Sequence, residues 1–114
     1  MTKRLGEFEQ LLLFAVLRLG EDAYGARIAA EVEERTGRGV SPGAVYTVLD
    51  RLEKGGLVTS RVGAPTGERG GRRRKIYDLQ PHGAAALHES WRRLEQMAEG
   101  VLDDLEDLLP EGGG

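Results

Sequence analysis

Apolar positions recur with helical spacing through most of this chain, and the exceptions are short and local. In residues 7–19 (EFEQLLLFAVLRL) they fill nearly every direction after Gln10, which predicts a helix buried on most sides and stopped by Gly20. Residues 23–35 predict a second helix, N-capped by Asp22 and followed by Gly37, with Ile28 and Val32 facing inward beside Ala29. Residues 42–54 predict a third. Ser41 is a strong N-cap, Pro42 suits the first helical position, and Val45, Val48, Leu49 and Leu52 form one apolar stripe. Gly43, Tyr46, Thr47, Asp50 and Lys54 fall on the opposite face, with Arg51 at its edge.

The period then changes. Residues 57–62 (LVTSRV) are short and β-branched, residues 63–71 are a glycine-rich loop, and residues 74–79 (RKIYDL) alternate with Tyr77 and Leu79 on one face. This predicts a hairpin with a basic tip. Pro81 opens a helix over residues 82–109, about 42 Å long at a rise of about 1.5 Å per residue. Leu87, Trp91, Leu94, Ala98, Val101, Leu105 and Leu108 alternate steps of four and three along it, a heptad seam interrupted at Gly100. The order helix, helix, helix, strand, basic loop, strand, helix is mostly α with a small β-hairpin wing, a winged helix-turn-helix with a long C-terminal dimerisation helix. The division expected is residues 1–80 as a DNA-binding domain, 81–110 as the dimerisation helix and 111–114 as a flexible tail.

Charge sharpens the picture. The formal net charge of the 114 residues is −3, which disfavours a polyanionic partner if read as a sum. The distribution says otherwise. Residues 84–114 carry eight acidic side chains against Arg92 and Arg93, whereas residues 61–75 carry six basic side chains against Glu68. The loop Gly67 to Lys75 places four cations in a row between two strands, a local arrangement that attracts phosphates. With 39% hydrophobic and 31% charged residues the chain is globular.

Catalysis finds little material. The chain has no cysteine, which removes a disulfide framework, a thiolate metal site and a cysteine nucleophile, and agrees with a cytoplasmic location. His82 and His88 are its two histidines, and His88 and Glu89 diverge on a helix, so no metal or cofactor is expected and the protein reads as a non-enzyme. The apolar run Leu11 to Leu17 is too short to span a membrane.

A helix with small residues near its capped N-terminus suits a major groove, and a basic loop suits the neighbouring backbone. The stretch Ser41 to Val58 (SPGAVYTVLDRLEKGGLV) resembles the recognition-helix signature of PadR-like transcriptional regulators. Ala23-Tyr24-Gly25 with Ile28 resembles the start of their second helix, and Gly71 to Leu79 with Pro81 and Gly83 their wing and last helix. The resemblance covers about residues 5–109. It implies a homodimeric repressor on a pseudo-palindromic operator, and in some members a small aromatic effector, for which Phe14 and Trp91 are the lining candidates. The expected DNA-binding set is Tyr24, Ser41, Gly43, Tyr46, Thr47, Arg51, Arg69, Arg72, Arg73, Arg74 and Lys75. Thr47 stands where many members have proline, and Gln80 where a capping Thr or Ser is common. A winged-helix dimer that binds another protein instead of DNA is the alternative, against which the basic wing argues.

Overall fold

The computed structural model describes residues 4–63 and 74–111. Helix α1 spans Glu7–Leu19. The Gly6 amide that precedes it donates to Glu9 Oε1 at 2.9 Å, satisfying a donor that helix geometry leaves open. Gly20 closes it at φ 54. Leu12, Leu13, Ala15 and Val16 are buried and Leu11, Phe14 and Leu19 half-buried, whereas Leu17 is 62% exposed, so one strip of the helix past Gln10 is left uncovered.

Helix α2 spans Gly25–Thr36 and begins two residues later than expected, with Tyr24 in the N-cap position. Asp22 is not the cap. It ends a 3-10 turn over Gly20–Asp22, and its carbonyl accepts the Tyr24 amide at 2.9 Å. This is an inverse γ-turn at Ala23, φ −82 and ψ 67. The next carbonyl, of Ala23, accepts the Tyr77 amide at 2.9 Å. A long-range bond thus holds the backbone out of the helix at Ala23.

Helix α3 spans Pro42–Lys54, as the pattern predicts. The Ser41 hydroxyl accepts the Ala44 amide at 3.1 Å, and Val45, Leu49 and Leu52 are fully buried. Gly56, at φ 82, turns the chain so that the Leu57 amide reaches back to the Leu52 carbonyl at 3.0 Å. Strands β1 (Val58–Val62) and β2 (Lys75–Leu79) pair antiparallel, with Val58 opposite Leu79 and Val62 opposite Lys75. The core lies among α1, α2, α3 and the hairpin, around Leu12, Leu13, Ile28, Leu49, Leu52 and Tyr77.

The C-terminal helix is two helices. Helix α4 covers Pro81–Ala98 and α5 covers Leu102–Asp107. The break is at Gly100, whose φ of 82 is left-handed backbone that L side chains resist. The seam is divided with it. Leu87 packs into the core at 4% exposure and is not free for a partner, whereas Trp91, Leu94, Val101, Leu105 and Leu108 are exposed. The first turns of α4 are held tightly. A Cβ on Gly83 would overlap the Leu57 carbonyl oxygen, and the Gln80 amide bonds that same oxygen at 2.9 Å. The Gln80 side chain does not cap α4; its amide donates to Thr59 Oγ1 at 3.0 Å. Among the described residues no helix is long and apolar enough to cross a membrane.

Candidate nucleic-acid interface

The apolar stripe of α3 binds it to the core and leaves Ser41, Gly43, Ala44, Thr47 and Arg51 exposed on the other side. The small residues at its start let a backbone approach closely. The Thr47 hydroxyl donates to the Gly43 carbonyl at 3.0 Å, which leaves its oxygen free to accept. Arg51 is reached by Glu9 Oε2 at 3.4 Å, a long contact that at 59% exposure for the arginine holds it weakly.

Tyr46 differs from its expected place on the outward face. It is half-buried, its hydroxyl accepts the Gly25 amide at 3.3 Å, and its ring lies 6.2 Å from that of Tyr77. A tyrosine is amphipathic, so the helical wheel places it outside while its ring closes over the start of α2. The bare Cα of Gly25 makes room: a Cβ there would lie 2.5 Å from Tyr46 Cε2 and Cζ.

The base of the wing is likewise engaged. Arg74 stacks its guanidinium over the Tyr24 ring at 4.2 Å, which brings two members of the expected set together beside α2. Lys75 Nζ donates to Asp50 Oδ1 at 2.9 Å and lies 3.6 Å from Glu53 Oε1, so it is a paired cation rather than a free one. Tyr77, buried, donates its hydroxyl to the same Asp50 oxygen at 2.7 Å. Glu53 Oε2 accepts from the Ser60 amide at 3.1 Å and hydroxyl at 2.7 Å. The hydrogen bonds from Lys75 and then Tyr77 lower the Asp50 pKa below its ordinary 3.8. The Asp50 bond raises that of Lys75. Burial first, and Asp50 second, push the Tyr77 phenol up, so it stays a neutral donor. The helical spacing places Asp50 on the outer face and assigns it no partner. The available signal was two carboxylates three residues apart on a helix that precedes a basic strand. Arg69, Arg72 and Arg73 lie outside the described residues.

A second feature lies where α1 meets α4. Phe14 and Trp91 meet edge to face with centroids 6.3 Å apart. They line a cleft of about 430 Å³ with Leu11, Val32, Arg18 and Arg35. Among the described residues, no group of three or more His, Cys, Asp or Glu is placed to hold a metal ion.

Three packed helices, a two-stranded wing and a capped third helix with a small-residue outer face define a winged helix-turn-helix protein. Residues 13–89 match the transcriptional regulator PadR-like family, and the chain belongs to that family of transcriptional regulators. It is 41% identical over 81 residues to the transcriptional regulator Rv3488 of Mycobacterium tuberculosis, covering 71% of each chain. A PadR family transcription regulator from Clostridium difficile has a similar structure, with 29% identity and a TM-score of 0.58 over 82% of this chain and 96% of that one. The fold is also that of Bacillus subtilis PadR in complex with operator DNA, with 21% identity and a TM-score of 0.58 over 76% of this chain and 48% of that one.

Proposed function

We propose that this regulator is a homodimeric repressor that binds duplex DNA sequence-specifically in the cytoplasm, with no reaction chemistry. The observation that carries the reading is the start of α3, where Ser41, Gly43, Ala44 and Thr47 stand exposed around a capped N-terminus while Val45, Leu49 and Leu52 hold the helix from behind. Helix N-termini favour phosphate, and residues near the start of a recognition helix read base edges. The complex of Bacillus subtilis PadR with operator DNA supports the same use of the shared fold. Gly43, Thr47 and Arg51 are the proposed base-facing group. Ser41, Tyr24 and Arg74 are the proposed backbone contacts, joined by Arg69, Arg72 and Arg73 of the wing.

The exposed apolar side chains Leu17, Trp91, Leu94, Val101, Leu105 and Leu108 support a second copy as the partner of α4 and α5, because soluble monomers rarely leave so much apolar surface in water. Half-buried Ala98 would lie within that contact. One copy then reads a half-site. The Phe14–Trp91 cleft, of a size common for ligand pockets, supports a small aromatic effector.

Selection of duplexes from a random pool by the full chain tests the reading. The expected result is two half-sites related by a dyad, with centres about 34 Å or a multiple apart. Absence of any salt-sensitive specific complex overturns it.

A further inference from the structure

An acidic side chain on the outer face of a groove-reading helix is costly, because it meets phosphate. Helix α3 carries two carboxylates near that face, Asp50 and Glu53, and both are turned toward the hairpin. Asp50 Oδ1 accepts from Lys75 at 2.9 Å and from Tyr77 at 2.7 Å, both on β2. Glu53 accepts from the Ser60 amide and hydroxyl on β1 and lies 3.6 Å from Lys75. One turn of α3 thus grips both strands. The same Tyr77 bonds the Ala23 carbonyl through its amide, just before α2 begins. Three elements of the proposed interface converge on one tyrosine.

We propose that Asp50 is a positioning residue for DNA recognition: through Lys75 and Tyr77 it locks the wing to the reading helix at one angle, and it withholds Lys75 from phosphate. The inference rests on the DNA-binding reading above. Its logic is preorganisation. A wing that swings freely on α3 must be ordered when specific DNA binds, and that ordering opposes affinity. Non-specific binding, which depends on charge and tolerates many geometries, does not need the lock. Lys75 therefore serves specificity without being a DNA contact, in contrast to what its place in a basic run predicts.

The charge-conserving double variant Asp50→Asn/Lys75→Gln separates these roles. It leaves the net charge of the cluster unchanged while removing the ion pair. Affinity for the selected operator and for random duplex is measured against salt, with the full-length protein. The expected result is roughly a tenfold loss on the operator, with random-duplex affinity and salt slope as in the wild type. A salt slope smaller by about 0.9 shows that Lys75 neutralises a phosphate, and overturns the proposal. Unchanged operator affinity overturns it as well. If the double variant no longer melts cooperatively, Tyr77→Phe carries the test, since it removes one donor to Asp50 and no charge. About a threefold loss confined to the operator is expected, and equal affinity for operator and for random duplex relative to wild type overturns the proposal. A wild-type protein that selects no operator defeats the DNA-binding reading itself. Wild-type selection with unaffected variants defeats only the lock.

Discussion

The Tyr46 hydroxyl accepts the amide of Gly25 at 3.3 Å, and the ring occupies the space where a side chain on residue 25 would begin. The first turn of α2 and the middle of α3, 21 residues apart in the chain, are therefore set against each other by a glycine and a tyrosine. Because α2 and α3 form the helix-turn-helix pair, this contact fixes how closely those two helices pack.

Gly25→Ala forces the Tyr46 ring to move. We expect a loss of about 1–3 kcal/mol in unfolding free energy, the usual range for overpacking. Denaturant titration measures it. Adding Tyr46→Ala removes the obstacle, so the double variant loses less than the two single losses combined. Additive losses mean the two residues do not share the space.

Tyr46→Phe bears on recognition. With its hydroxyl accepting the Gly25 amide, Tyr46 is expected to act through α3 geometry. The variant is expected to lose about 0.5–1.5 kcal/mol of stability for one hydrogen bond. Affinities for operator and random duplex in a gel-shift series keep their ratio. A loss confined to the operator returns Tyr46 to the base-reading set.

Leu94→Arg places a charge on an exposed apolar face of α4. Leu94 is 58% exposed, so the fold of one chain does not need it, and circular dichroism is expected to match the wild type. Sedimentation at micromolar concentration is expected to show the wild type as a dimer and the variant as a monomer. A dimeric variant places the contact elsewhere. Leu87→Arg is expected to unfold the protein instead, because Leu87 is in the core.

The Asp50–Lys75 pair gives a pH dependence at both extremes. Asp50 is lowered from 3.8 by Lys75 first and Tyr77 second, so its contribution is complete above that value and is lost as pH falls through the folded pKa. Lys75 is raised from 10.5 by Asp50, so its contribution is complete below that value and is lost as pH rises through the folded pKa. The side chains are 48% and 41% exposed, so solvent screens the pair and the effect is small. The difference in urea midpoint between wild type and Asp50→Asn/Lys75→Gln is expected to be flat from pH 5 to 9 and to narrow outside 3.8 and 10.5. A difference that changes within the flat range identifies another titrating group as its source.

Local chemistry made much of this protein legible in its residues. The Ser41-Pro42 start, the Val45, Leu49 and Leu52 stripe, the β-branched and alternating segments of the hairpin and the glycine stops are short-range features, decided by neighbours within one or two turns. They were sufficient for element order, and with the basic run they pointed to a winged helix-turn-helix regulator. Tertiary structure decided the rest. Periodicity tells which face of α3 is apolar, but not that the Tyr46 ring bends over Gly25. The basic run shows charge at residue 75, but its carboxylate partner Asp50 stands 25 residues away and meets it only through the strand register. A heptad seam counts apolar positions without distinguishing Leu87, which faces its own core, from Leu94, which faces water. The physical reason is common to all three. Backbone bonding and capping are local, whereas the partner of an amphipathic or charged side chain is set by packing between segments remote in the chain.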